Sequence, residues 1–186
     1  MRYTTEHSPA EELADRVADA ATVFSQHTLQ HYSEHEHERR QWLAGDRAAC
    51  GRAMHGWLRH VLLPAQGTGR VLRRVHMIQF PITPSVAFAM ECYRHTVAAG
   101  EDVRIIPVPW GSWPQRIPHG VPRADFWLVD DVVADLDYDE HGALLRMHVT
   151  DDPERVAWAR AAQAAAWGAA TPWGQLWPGH ELHKPR

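Results

Sequence analysis

The sequence is short of several things that would each have named a function class. Its 186 residues include only two cysteines, Cys50 and Cys92. They lie far apart, lack CxxC spacing and sit in helix-like contexts. That pattern fits reduced, buried thiols in a cytoplasmic protein and disfavours a disulfide framework. No window has the apolar length needed to span a bilayer, so no membrane association is expected. No basic stretch followed by an apolar run opens the chain, so no signal peptide is expected. Positive charge is not in excess: the formal net charge is −4 at pH 7. This excludes a generally basic nucleic-acid coat but leaves room for a local basic patch.

Catalytic signatures are missing too. There is no GxSxG elbow, no GxxxxGK[ST] loop and no GxGxxG opening a helix. Gly67-Thr68-Gly69 precedes a strand pattern and reads as a turn. The HExxH pattern fails because His35-Glu36 is followed by His37, with Arg39 where the second histidine should stand. No residue pattern calls for a cofactor.

Histidine and tryptophan are abundant, at fourteen and nine. A Trp-rich core accounts for most of the indoles, since they favour burial. The histidines concentrate in a polar stretch from His27 to Leu43, expected to be helical towards its end. His27, His31 and His35 fall at i, i+4 and i+8, on one face of a helix, with Glu34 and Glu38 near that face. Such imidazole pairs are weak candidates for zinc or another transition metal. No third ligand can be assigned, so a solvated polar helix is the plainer reading and no tight metal is expected.

Periodicity and punctuation give the remaining elements. Pro9 to Phe24 reads as a helix capped by Ser8, with an apolar stripe of Leu13, Val17, Ala20, Ala21 and Phe24. Arg47 to Leu63 reads as another, stopped by Pro64. Val71 to Phe80 reads as a strand whose alternation is weakened by Arg73 and Arg74. Pro84 to Ala99 reads as a helix entered through Thr83 or Pro84 and ended at Gly100. Asp102 to Val108 reads as a buried strand. Strand, helix and strand in this order form a βαβ unit with a parallel pair. Pro109 to Pro122 reads as a loop and Asp125 to Val129 as a third strand. Val132 to Asp137 and Ala143 to Val149 read as a hairpin closed by Tyr138-Asp139-Glu140-His141-Gly142. A last helix opens at Asp151-Asp152-Pro153, and the chain after Thr171 is expected to be loop-like.

The chemistry-bearing candidates cluster at strand ends. Glu101 and Asp102 start one strand; Asp125 and Asp130 or Asp131 bracket another. Trp110, Trp113 and Trp127 are near in sequence. Carboxylates beside indole faces can seat a cation by ion pairing and cation–π attraction. If the two strand ends share a cleft, these acids would hold a cationic group or act as acid and base. Ser85 stands at a strand-to-helix junction, where it either caps the helix or faces a substrate. Arg70, Arg73 and Arg74, with Arg52 and Arg59, would form a patch for phosphate or RNA, or a salt-bridging edge.

The run from Arg73-Arg74-Val75, through Ala98-Ala99-Gly100-Glu101-Asp102-Val103-Arg104-Ile105-Ile106-Pro107 and Asp125-Phe126-Trp127-Leu128-Val129-Asp130-Asp131, to Tyr138, Asp139, Gly142 and Asp151-Asp152-Pro153 resembles the DUF6879 family. The resemblance covers about residues 70–170; the N-terminal part matches poorly. The family segment that often reads Glu-Pro-Leu-Thr-Asp-Tyr is Phe80-Pro81-Ile82-Thr83-Pro84-Ser85 here. Family members are abundant in actinobacteria and often occur near helix-turn-helix regulators. The strand order is also similar to one half of a phospholipase-D-like fold, although the His-x-Lys pair is absent from the third strand. Fungal proteins that join arginine from arginyl-tRNA to a second amino acid, as cyclodipeptide synthases, are suspected distant relatives.

These readings converge on one α/β domain over 1–186: a mixed sheet with a βαβ unit and a C-terminal hairpin, a helical N-terminal part over 1–66, the family-like core over 70–170 and a tail over 171–186. The expected function is an enzyme that binds a cationic amino-acid moiety and transfers its acyl group, as from a charged tRNA in natural-product biosynthesis. Glu101, Asp102, Asp125, Asp130 and Asp131 would be catalytic. Trp110, Trp113, Trp127, Ser85, Arg73 and Arg74 would bind substrate. The competing expectations are a non-enzymatic partner of a helix-turn-helix transcription factor and a metal-binding protein using the histidine run.

Overall fold

The computed structural model describes residues 9–112 and 116–177. Seven strands, β1 (Thr22–His27), β2 (Val71–Phe80), β3 (Asp102–Pro109), β4 (Asp125–Val129), β5 (Val132–Tyr138), β6 (Leu144–Thr150) and β7 (Thr171–Pro172), form one mixed sheet in the order β6-β5-β4-β1-β2-β3-β7. The expected βαβ unit is present: β2 (Val71–Phe80), α6 (Pro84–Ala98) and β3 (Asp102–Pro109), with β2 and β3 parallel. Thr83 caps α6, its hydroxyl accepting from Val86 N–H at 3.2 Å, with Pro84 in the first turn. The hairpin is β5 (Val132–Tyr138) with β6 (Leu144–Thr150), antiparallel to each other, and β5 pairs with β4 (Asp125–Val129).

The N-terminal reading needs correction. Helix α1 (Pro9–Asp19) stops early, and Thr22–His27 is not helix but β1. This strand lies at the centre of the sheet, parallel to β2 and antiparallel to β4. Val23, Phe24, Ser25 and Gln26 are all buried there, and a strand covered on both faces shows no polar alternation to betray it. The helical stretch after it begins only at α2 (Glu36–Leu43), so residues 28–35 form a loop. His27, His31 and His35 therefore share no helix face. His27 ends β1, His31 lies in the loop and His35 is the N-cap residue of α2 in the left-handed region, at φ 61°.

The expected helix from Arg47 to Leu63 is segmented into α3 (Ala49–Ala53), α4 (His55–Trp57), a π-helical turn (Leu58–Leu62) and α5 (Leu63–Ala65). After α7 (Pro153–Ala169), the tail is not wholly loop: β7 (Thr171–Pro172) pairs with β3 and α8 (Trp173–Leu176) follows. Residues 178–186 lie outside the described region.

Side-chain alternation sorts the strands into two faces. Phe24, Val75, Met77, Ile106, Val108, Phe126 and Leu128 pack under α7. Val23, Leu72 and Val129 face α1 and the π-helical turn, while Ile78, Val103 and Ile105 face α6. Arg73 and Arg74 take opposite faces for this reason. Arg73 stacks on Trp167 of α7, 4.7 Å from the ring centroid. Arg74 points to the other face with Ser25, His27 and His76, polar groups in an otherwise apolar layer. Among the described residues, no helix is long and apolar enough to cross a membrane.

Candidate active site

Those polar groups floor a cavity of about 750 Å³ between the sheet and the N-terminal helices. The floor comes from β1, β2 and β4: His27, Arg74, His76 and Trp127. The rim comes from the loop after β1 and from α2, α3 and α6: His31, Glu34, Glu38, Arg39, Arg52 and Ser85.

The loop carrying His31 is fastened at three points. Gln30 bridges β2, its Nε2 donating to Met77 O at 2.9 Å and its Oε1 accepting from Gln79 N–H at 2.7 Å. Tyr32 Oη accepts from the Thr28 and Leu29 amides, each at 3.2 Å, and donates to Asp125 Oδ2. Asp125 Oδ1 also accepts from the Thr28 amide at 2.9 Å and its hydroxyl at 2.5 Å. The third point is the β5–β6 turn. Gly142 O accepts from Ser33 N–H at 2.9 Å, and a Cβ on Gly142 would stand 2.4 Å from His31 O. Burial raises the Asp125 pKa against the pull of its hydrogen bonds, and burial with the neighbouring carboxylate raises that of Tyr32.

This scaffold brings His31 to Ser85. His31 Nδ1 lies 3.1 Å from Ser85 Oγ, and Arg39 Nη1 donates to the same oxygen at 2.9 Å. A guanidinium only donates, so the Ser85 proton is free for the imidazole. Arg39 is itself held by Glu36, through Nε to Oε2 at 3.0 Å and a second N–H. Ser85 is not the helix cap, because Thr83 fills that role. It sits in the first turn of the 15-residue α6, where the helix dipole favours negative charge. A hydroxyl set between an imidazole and a guanidinium is an arrangement that can serve nucleophilic chemistry when the imidazole nitrogen accepts its proton.

A second cluster lies at the floor. Arg74 Nε donates to Glu101 Oε1 at 3.0 Å, and Arg74 Nη1 donates to His27 Nε2 at 3.2 Å. The guanidinium lies 5.5 Å from the Tyr93 centroid and 5.9 Å from that of Trp57. Burial opposes its charge, but Glu101 more than offsets this and the pKa is raised. His76 donates from Nε2 to Leu29 O at 2.9 Å, so its Nδ1 accepts from Tyr93 Oη at 2.8 Å. Burial lowers the His76 pKa to about 4 and raises that of Tyr93 to about 12. Burial, then the Arg74 charge, then His76 push His27 well below its ordinary value.

The predicted residues divide. Antiparallel β4 puts Asp125 beside His27, at the cavity end of the sheet, and Asp130 beside Thr22 at the other end. Asp130 accepts from the Ala21 and Thr22 amides at 3.2 and 2.8 Å. Asp131 pairs with Arg160, on the surface. Asp102 is exposed and meets Arg104 at 3.8 Å. Glu101 is buried, and its partner is Arg74. Trp127 lines the cavity and meets Trp57 edge-on at 5.4 Å. Trp110 is exposed; Trp113 lies outside the described residues. The expected arginine patch does not assemble: Arg70 caps α1 through Val17 O and Ala20 O, each at 2.6 Å, and Arg73 and Arg74 face opposite ways. Arg52 does reach the cavity rim. Among the described residues, no group of three or more His, Cys, Asp or Glu could hold a metal ion.

The sequence reading did not single out Tyr32, Arg39, His76 or Tyr93. Only His76 carried a signal, as a lone polar residue between Val75 and Met77 in a buried strand.

A family model described as a domain of unknown function, DUF6879, matches residues 11–178. The chain belongs to the DUF6879 family. The match reaches well beyond the 70–170 resemblance. It takes in most of α1, β1 and the loop with His31, so the residues on both sides of the cavity lie inside the matched region. No curated protein matches the chain.

Proposed function

We propose that this protein is an acyl-transfer enzyme whose Ser85 accepts an aminoacyl group from a charged tRNA. The observation that carries the reading is the Ser85 hydroxyl held between His31 Nδ1 and Arg39 Nη1 on the wall of a cavity large enough for an aminoacyl group. Ser85 Oγ attacks the ester carbonyl as its proton passes to His31. The ribose oxygen leaves with that proton, and the aminoacyl group stays on Ser85 as an ester. The amine of a second aminoacyl group then attacks, loses its proton to His31 and forms the peptide bond as Ser85 Oγ leaves and is reprotonated. The free amine of the first residue then attacks the ester that still joins the second residue to its tRNA; the second amide forms, the ribose oxygen leaves with the amine's proton, and a cyclodipeptide is released.

An aminoacyl ester carries an ammonium group. Glu34 and Glu38 are the carboxylates on the cavity lining and would meet it there. Glu101, expected to meet a substrate guanidinium, holds the protein's own Arg74, so cation recognition falls to the rim. Arg52 on the lining, with exposed Arg47 and Arg59 in the same helical layer, supports contact with a polyanion.

The test is incubation with a panel of charged tRNAs, followed by mass spectrometry of the peptide bearing Ser85 and of the released products. An aminoacyl adduct on Ser85 is expected. Ser85→Ala should remove it, and His31→Gln should slow its formation about a hundredfold or more. Absence of both adduct and dipeptide with every tRNA would sink the reading.

A further inference from the structure

The cavity floor is built to donate hydrogen bonds. Arg74 has no lone pair to offer, so the 3.2 Å contact from its Nη1 makes His27 Nε2 an acceptor. Ser25 Oγ, 3.3 Å from the same nitrogen, is a hydroxyl that can donate to it as well. The proton of the neutral ring is therefore on Nδ1. That nitrogen has no protein partner among the described residues, although His27 lines the cavity. Arg74 is in turn fixed by Glu101. An ion pair this deep costs desolvation energy that a hydrophobic pair would not. Its evident product is an imidazole locked in one tautomer. Trp57, also on the lining, has an indole N–H buried without an acceptor. Glu101 Oε1 is taken by Arg74 and the Asp125 carboxylate by Thr28 and Tyr32, while Glu101 Oε2, behind Arg74, is buried without a donor among the described residues.

We infer that the floor is a binding subsite for a ligand oxygen that accepts a hydrogen bond, an amide or carboxylate oxygen, with His27 Nδ1–H as its donor and the rings of Tyr32 and Trp127 as its walls. Tyr32 and Trp127 meet the His27 ring edge-on, at 5.6 and 6.5 Å between centroids. The positive charge of Arg74 behind the imidazole favours an anionic or neutral oxygen and repels a cation. The subsite deepens the aminoacyl reading by naming the class of side chain that reaches the floor, and so rests on that reading for its biological ligand. A guanidinium or ammonium side chain is excluded from the floor, whatever is held at the rim.

Binding is measured on the Ser85→Ala protein, so the result does not depend on any transfer reaction. The groups facing His27 are Arg74, His76, Tyr32, Trp127 and Ser25; Asp125, beside it on β4, is the nearby carboxylate, and its oxygens are taken by Thr28 and Tyr32. Nitrogen-15 NMR should show His27 as the neutral Nδ1–H tautomer throughout pH 6 to 8. The probes are phenylacetate, phenylacetamide and benzylguanidine. The first two should shift the Nδ1–H resonance and bind about tenfold or more tightly than the third. His27→Asn keeps an N–H at the Nδ1 position and should keep the preference. His27→Gln offers its amide at the Nε2 position, can still accept from Arg74, and should lose it. An Nε2–H tautomer, no binding by either oxygen probe, or equal binding of benzylguanidine would overturn the inference. A missing Ser85 adduct beside intact probe binding would instead count only against the aminoacyl reading.

Discussion

The Arg74 guanidinium donates to Glu101 Oε1 at 3.0 Å, so the protein itself supplies the cation that Glu101 was expected to take from a substrate. The side chains are 13 % and 2 % exposed. Removing one charge strands the other, which costs about 3–5 kcal/mol in a buried pair. Glu101→Gln should therefore lower stability by about that amount, and activity should fall because the protein unfolds. Glu101→Gln combined with Arg74→Met should recover most of the loss in denaturant titrations. A well-folded Glu101→Gln protein without activity would return Glu101 to the chemistry.

Gly142 offers a test at a distance. It has φ 77°, and a Cβ there would lie 2.4 Å from His31 O and 2.9 Å from Tyr32 Cα. The contact is with backbone, so the loop must move. Gly142→Ala should cost about 1–2 kcal/mol from the left-handed conformation alone. Displacing His31 by an ångström should also slow Ser85 acylation by about a hundredfold. Thermal melts and single-turnover acylation separate the two effects. A slower acylation step in a protein still folded at the assay temperature is the expected outcome.

The elements legible from sequence are those with local punctuation. Thr83-Pro84 opens α6 and Gly100 follows its end; Asp152-Pro153 opens α7; Gly142 closes the hairpin. β1 had no such marks. Its apolar residues continued the helical stripe of α1, and its partners β2 and β4 are remote in the chain. The site was partly hidden for the same reason. Ser85 was noticed at its junction, but His31 is 54 residues away, and only the parallel pairing of β1 with β2 brings their following loops together. The acids at strand ends were visible, yet their separation depends on strand direction. Antiparallel β4 sends Asp125 to the cavity and Asp130 away from it.

That separation makes Asp130 informative. It has φ 49° and holds the Ala21 and Thr22 amides at the far end of the sheet. Asparagine tolerates this conformation and keeps one accepting oxygen. Asp130→Asn should cost about 1 kcal/mol or less, as expected for losing the charge from exposed hydrogen bonds. Ser85 acylation should be unchanged. Loss of acylation in a folded Asp130→Asn protein would show that the far end of the sheet takes part.

The buried imidazoles set the acid limit of stability. His76 is fully enclosed, with Tyr93 Oη and Leu29 O on its two nitrogens, and burial lowers its pKa from 6.5 to about 4. The unfolded chain therefore binds this proton first as pH falls. Stability is complete above about 6.5 and is lost as pH falls towards 4, at roughly 1.4 kcal/mol per pH unit for each proton taken up on unfolding. Over the full window His76 alone accounts for about 3 kcal/mol. His27, lowered in the same direction, steepens the loss. Asp125 acts oppositely: its raised pKa lets the folded protein bind a proton first, which softens the fall within the carboxylate range. Denaturant titrations at pH 7.5, 6.0 and 5.0 should show a falling midpoint. His76→Gln, which cannot take up a proton, should start less stable at pH 7.5 and show a shallower decline. Equal declines for the two proteins would mean that His76 does not stay neutral in the folded state.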